Sequence, residues 1–474
     1  MARTAKGRRW AADRRRCGSP RSRSEAPVPD LGTLVHAALD AADEDEQVEA
    51  YAEEARQTEV SALRSEIEGM TFAESRGLGV RVIREGRLGY AWAADPSEDE
   101  ARETVWRARE NAALSEPDEH NALPEPQTAE AMPEIFREQS VAVAADDKVR
   151  MAMELEAYTV SRDPRVSKVD LAQVGDAVSR VAIASTTGVD VEYARTDAWA
   201  VVVTLAVDGD ETQTGFSYAI TRGLDALTWE PVADEAVARA VKMLGAVKPP
   251  TARVAVALDP FAASSFLGVL AGALNAENVL KGRSLFADMV GRAVGSYAFT
   301  LVDDGRRLDG PGACPFDAEG VPSGRTELFT GGTLNGFLHD TYTARRAGGG
   351  QRSTGNAKRG GYRSTPGVGT SNFFVDPGTL SYDQLLAKAE GGVLIMEVSG
   401  VHSGANPISG EFSVGATGLR VDGGATGEPL REMTIASTLP EMLAGIAGIG
   451  SDLRFFSSVG TPSILIGEMT LAGV

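Results

Sequence analysis

The chain of 474 residues has only two cysteines, Cys17 and Cys314, and four histidines, His36, His120, His339 and His402. The cysteines form no Cys-x-x-Cys and lie far apart. That removes a disulfide framework and a thiolate metal site, and it fits a reducing cytoplasm. No two histidines fall at helical spacing, so the sequence offers no local pair of imidazole ligands for zinc. There is no apolar run of about 18 residues, the length that would predict a membrane-spanning helix. Gly-x-Ser-x-Gly and the phosphate-binding Gly-x-x-x-x-Gly-Lys-Ser/Thr are both absent, and Gly348-Gly349-Gly350 follows no strand-to-helix turn. Positive charge is scarce as well: 47 Lys and Arg stand against 67 Asp and Glu, a net charge of −20. Residues 1–29 hold nine of the basic residues and two acidic ones, a local +7, which leaves −27 on the rest. A body that acidic repels nucleic acid, whose binding rests on neutralising phosphates.

What is present is globular: 43% hydrophobic against 24% charged residues, with length for two or three cored domains. Four regions are expected. Residues 1–28, basic and without a following apolar stretch, form a disordered tail rather than a secretory signal. Residues 29–135 form an N-terminal α+β region, 136–250 a strand-rich middle region, and 251–474 a β-rich C-terminal domain. The first begins with a helix at 31–39, and the helical and extended patterns compete over 48–66. Val80, Val82, Leu88, Tyr90 and Trp92 alternate around Glu85-Gly86 and predict a β-hairpin over 77–93. Ser97 then caps a helix running to about 113. The Pro/Glu-rich segment 115–133 is a linker.

The middle region predicts a helix over 146–162, strands over 166–174, 179–185, 189–193 and 198–207, and a helix over 225–244. Lys248-Pro249-Pro250 closes it. Beyond it come a buried strand at 253–258 and a helix from Asp259-Pro260 to Asn275. Short glycine-punctuated strands follow at 296–302, 326–329, 334–338, 393–398, 432–435 and 463–466, with helices at 382–389 and 439–446. The fold class is therefore α+β: an N-terminal region with a β-hairpin and antiparallel sheet, and a C-terminal glycine-rich, barrel-like domain with a few helices.

Three blocks carry a resemblance. They are Gly77–Tyr90 (GLGVRVIREGRLGY), Ser353-Thr354-Gly355-Asn356-Ala357, and Gly391–Gly418 (GGVLIMEVSGVHSGANPISGEFSVGATG). Together they resemble the TldD/PmbA family, whose members form zinc-dependent peptidase pairs, and the likeness runs over roughly 47–474. Zinc-bearing members carry His-Glu-x-x-x-His on the helix that corresponds to 261–275. Here the window Leu267–Gly272 reads LGVLAG and has no imidazole, carboxylate or thiol. The chain thus resembles the metal-free PmbA (TldE) type.

The resemblance implies a non-catalytic subunit of a heterodimeric zinc metallopeptidase. It implies no cofactor in this chain, zinc in a TldD-type partner, and unfolded peptide as substrate for proteolysis or peptide maturation. No membrane partner is implied, and the acidic body speaks against direct nucleic-acid binding. Asn406, Ser409, Gly410, Glu411 and Ser413 would line the peptide cleft, and Glu411 has no motif support as a general base without a metal. The loop from Ser353 to Thr370, which with Arg345, Arg346, Arg352, Lys358, Arg359 and Arg363 is the most basic of the acidic body, is either a mobile segment meeting an acidic peptide or partner, or a solvated flexible loop. Two other functions stay open: a stand-alone peptide-binding or regulatory protein of gyrase-modulator type, and a hydrolase with a non-local site.

Overall fold

The structure is a computed structural model describing residues 29–473. The predicted tail, residues 1–28, lies outside the described residues. Helix α1 (Leu31–Leu39) is capped by Asp30, whose carboxylate accepts from the Thr33 amide. Strands β1 (Gln47–Leu63), β2 (Glu66–Arg84) and β3 (Arg87–Ala94) follow. Both hairpin turns, Arg64-Ser65 and Glu85-Gly86, have two residues at positive φ, matching the right-handed twist of the flanking strands. Helix α2 (Glu98–Leu114) opens on a capping box of Ser97 and Glu100.

Helix α3 (Ala145–Ser161) leads into β4 (Val166–Ser185), β5 (Asp190–Asp208) and β6 (Glu211–Thr221), then helix α4 (Glu230–Lys242). The six strands form one antiparallel sheet in the order β3-β2-β1-β4-β5-β6. The regions treated separately in the sequence therefore share a sheet, joined where β1 pairs with β4. Helices α1 and α2 cover one half of a face, over Val48, Ala50, Leu78, Val80 and Val82. Helices α3 and α4 cover the other half, over Val60, Ala62, Val174 and Val202.

Several expected boundaries shift. The strands expected at 166–174 and 179–185 are one, and so are those at 189–193 and 198–207. Strand β6 has no counterpart in the sequence reading. It starts Glu-Thr-Gln-Thr and lies at the sheet edge, so the apolar alternation that marks a strand is missing from its first half. The expected strand over 334–338 shrinks to Thr333–Leu334.

The C-terminal part holds a five-stranded barrel built from Ala252–Leu258, Val393–Ser399, Glu411–Asp422, Ala425–Thr438 and Ile464–Ala472. It closes where Thr434–Ala436 pair with Thr470–Ala472. A second sheet contains Arg325–Thr330, Leu301–Asp304, Phe373–Val375, Val459–Thr461 and Arg454–Phe456. Helix α5 (Pro260–Ala273) buries Ala262, Phe266, Leu267 and Leu270 in a core shared with Ile395 and Phe412 of the barrel and Leu301, Phe329 and Phe373 of the second sheet.

Candidate functional site

Helix α5 is held rigidly at its start. The Asp259 carboxylate accepts from the Phe261 amide at 2.9 Å and from Arg239 of α4 at 2.8 Å. Arg239 also donates to Glu235 (3.1 Å) and to the Met396 carbonyl (3.2 Å), and Arg454 donates to Glu235 at 2.7 and 2.9 Å. Burial opposes ionisation of Glu235, but Arg454 and the Ser217 hydroxyl outweigh it and hold the carboxyl down at about 2. This network ties α5 to the N-terminal sheet. Opposite its buried face, α5 presents Gly268 and Gly272, where an added Cβ would meet no atom within 4 Å. The helix is thus firmly placed and open on one side.

That open side has no donor set for zinc. Glycine, valine and alanine supply no lone pair from their side chains, and zinc needs imidazole, thiolate or carboxylate. Among the described residues, no group of three His, Cys, Asp or Glu is placed to hold a metal ion. His36 faces Asp190 at 3.6 Å, and His120 packs edge-on against Tyr342. His339 is buried, which depresses its pKa, and His402 sits on an exposed loop. A family-type zinc ion does not fit at this helix.

The loop expected to carry the peptide site runs from Gly400, at φ +71°, through the turn Val401–Gly404 to the strand beginning at Glu411. The Asn406 side-chain oxygen accepts from the amides of Ile408 (2.8 Å) and Ser409 (3.3 Å), so it shapes the loop. The Asn406 amide donates to the Glu411 carbonyl and the Gly410 amide to the Asn406 carbonyl, while Ala405 bridges to Phe412. This side of the strand is therefore filled by the loop's own backbone. Gly410 is buried, at φ +79°, with Pro440 and Leu285 against the position a Cβ would take. Ser409, Glu411 and Ser413 are exposed, and Phe412 and Val414 point inward. The Ser409 hydroxyl lies 3.4 Å from the Glu411 carboxylate. Of the five residues, Asn406, Ser409, Glu411 and Ser413 are exposed and Gly410 is buried, and Asn406 and Gly410 build the turn.

The basic loop is packed only in part: Arg345, Arg346, Arg352 and Arg363 are exposed. Arg359 and Tyr362 are buried against the N-terminal sheet. Arg359 pairs with Glu49 of β1, donates to the Ala318 carbonyl at 3.1 Å, and lies over the Tyr51 ring at 4.7 Å. Arg81 of β2 donates to Glu49 (Nε, 2.9 Å) and to Glu319 (3.0 Å). Burial opposes the charge on Glu49, but Arg359 and Arg81 outweigh it and its pKa falls.

Tyr362 explains Gly77-Leu78-Gly79. A Cβ at Gly77 would stand 2.4 Å from the Tyr362 ring, and one at Gly79 would stand 2.4 Å from its carbonyl oxygen. Asn356 is buried too: its amide donates to Asp303 (2.7 Å) and the Gly369 carbonyl (3.1 Å). Beside it, Asp317 accepts from the amides of Glu319, Val321 and Ala357. Burial, and then the Glu319 charge, push Asp317 up to about 7. The hairpin block that carried part of the resemblance thus meets Arg359 and Tyr362, just past the Ser353–Ala357 block, in one interdomain joint, while Asn356 bonds within the C-terminal part.

Sequence models of three PmbA/TldA metallopeptidase domains match this chain: domain 1 over residues 48–112, the central domain over 139–244, and the C-terminal domain over 251–473. The chain belongs to the TldD/PmbA family. It is 26% identical to the metalloprotease PmbA of Escherichia coli O157:H7, across 87% of this chain and 89% of that one. It is 26% identical to a metalloprotease of Methanothermobacter thermautotrophicus, across 90% and 91%. A Thermotoga maritima protein described as a candidate modulator of a DNA gyrase superposes with a TM-score of 0.84 at 25% identity, covering 93% of this chain and 98% of its own. TldE of Thermococcus kodakarensis has the same fold: its TM-score is 0.84 at 23% identity, with 93% and 99% covered. No helix among the described residues is long and apolar enough to cross a membrane.

What sequence reasoning missed in this TldD/PmbA chain is the joint. Its signal was available in the Gly-x-Gly of the hairpin, which leaves room for an aromatic side chain, and in Arg359, a cation in an acidic body that needed a carboxylate partner.

Proposed function

We propose that this chain is the zinc-free subunit of a two-chain TldD/PmbA peptidase in the cytoplasm. A zinc-bearing homologue supplies the Lewis acid, and this chain helps bind and enclose an unfolded peptide. The observation that carries the reading is the open, donor-free side of α5 at Gly268 and Gly272, on a helix locked in place by the Asp259–Arg239 and Glu235–Arg454 pairs. A rigid helix that offers space and no ligand suits a chamber wall better than a metal centre. Asn406, Ser409, Glu411 and Ser413 are the exposed side chains that would meet peptide. Because the strand behind them is filled by its own loop, contact there runs through side chains.

Co-purification with the zinc-bearing homologue, metal analysis of each subunit and a peptide-cleavage assay test the reading. Zinc in the partner alone, and cleavage only by the pair, are expected. A second reading, a regulatory protein acting without peptidase activity, draws on the description of the Thermotoga maritima relative. Activity that appears only on mixing separates the two.

A further inference from the structure

Strand β2 is longer than its outer neighbour. Strand β3 pairs only with Gly77–Arg84, and the Asp95 amide closes on the Arg76 carbonyl. Over residues 66–75, β2 pairs with β1 on one side, and among the described residues no strand pairs with the other. An unpaired stretch of this length is one that proteins ordinarily shorten, cover or blunt. Here it carries three large apolar side chains in six residues: Ile67, Met70 and Phe72, 39%, 50% and 63% exposed.

Met70 and Phe72 sit across from Val60 and Thr58 of β1. With side chains alternating along β2, they share a face with Leu78, Val80 and Val82. Those three are buried under helices, and so is Val60. The apolar face of the sheet therefore continues outward past its helical cover. Glu66, Glu68 and Glu74 line the same stretch, Glu74 being ion-paired with Arg56 at 3.0 Å.

An occupant must pair with the backbone, cover Met70 and Phe72, and offset the charge of Glu66 and Glu68. The basic residues 1–28 of this chain could answer the charge, but they contain no Leu, Ile or Phe and one Trp, so they cannot cover the apolar side chains. A second copy pairing antiparallel along the whole stretch, centred on Thr71, would set Glu68 against Glu74 twice, and like charges directly opposite destabilise a sheet. We infer that the free edge at residues 66–75 is a docking strand for the zinc-bearing partner, which adds an extended segment that alternates apolar residues with Lys or Arg. The inference rests on the two-chain reading above. Backbone pairing supplies affinity in such an addition, and side chains on alternate positions supply selectivity.

The test uses the full chain and the zinc-bearing homologue. Met70→Glu/Phe72→Glu, at exposed positions, should leave the thermal midpoint of the chain alone unchanged and weaken the complex at least tenfold. Glu66→Lys/Glu68→Lys should also weaken it. Amides of residues 66–75 should slow in hydrogen exchange on mixing. If the wild-type complex forms but both variants bind as wild type and these amides exchange as before, the docking strand is overturned while the two-chain reading stands. If wild type forms no complex at all, the two-chain reading falls and takes this inference with it. Self-association abolished by Met70→Glu/Phe72→Glu would make a second copy the occupant. Faster exchange of the edge on deletion of residues 1–28 would make that segment the occupant. Either result overturns the inference.

Discussion

Replacing Arg81 with Met should be among the most damaging single changes outside the apolar core. Arg81 is bonded to Glu49 through Nε (2.9 Å) and to Glu319 (3.0 Å). Its side chain is 6% exposed, and those of both partners are 1% exposed. Methionine fills the space of the stem but leaves two carboxylates without a cation. Glu49 retains Arg359, whereas Glu319 retains only the Thr341 amide at 2.9 Å. Removing one partner of a buried ion pair costs about 3–5 kcal/mol, because the remaining charge stays desolvated. An exposed pair behaves differently. Arg253 and Glu468, 68% and 59% exposed, should contribute less than about 1 kcal/mol. Urea denaturation of Arg81→Met beside Arg253→Ala gives the comparison. Adding Glu319→Gln to Arg81→Met removes the stranded charge, so the double variant should lose at least about 1 kcal/mol less than the sum of the singles. An Arg81→Met variant within about 1 kcal/mol of wild type would refute the claim that this joint bears the contact between the domains.

Gly77→Ala should destabilise by about 1–3 kcal/mol, since its Cβ would overlap the Tyr362 ring, and Tyr362→Ala should recover part of that loss in the double variant. Gly410→Ala should cost about 1–2 kcal/mol from backbone strain at φ +79°, whereas the exposed Glu411→Gln should leave stability and assembly unchanged. Asp317 keeps its proton in the native state up to about 7, while the unfolded chain releases it near 3.8. The native state then holds more protons across that window, so this carboxyl makes stability fall as pH rises from 3.8 to about 7, and the effect levels off above. Asp317→Asn should flatten that slope in part, as read by thermal midpoints at several pH values. Asp197, Asp303 and Asp340, whose pKa values burial also raises, would add to the same slope.

Much of the fold was legible because local chemistry and tertiary context agree. Ser97 and Glu100 cap α2, Glu85-Gly86 turns the hairpin, and Asp259-Pro260 opens α5, each recognisable from a few residues. Strand β6 was hidden because an edge strand with polar alternate positions lacks the apolar period. Within the basic loop, the burial of Arg359 was hidden for a different reason. Charge in sequence suggests solvent, and only the fold shows that Arg359 meets Glu49 across 310 positions of separation. At the proposed peptide site, the glycine-rich block does not reveal which side chains the fold leaves open. That Gly410 is closed off by Pro440 and Leu285, while Glu411 is open, depends on packing from distant segments.

The most direct test measures zinc and peptidase activity in this chain alone, in its zinc-bearing homologue alone, and in their mixture. The account predicts zinc bound by the homologue only, cleavage of an unstructured peptide by the mixture only, and loss of that activity on chelation. One tightly held zinc per molecule of this chain, or cleavage by this chain alone, would contradict it.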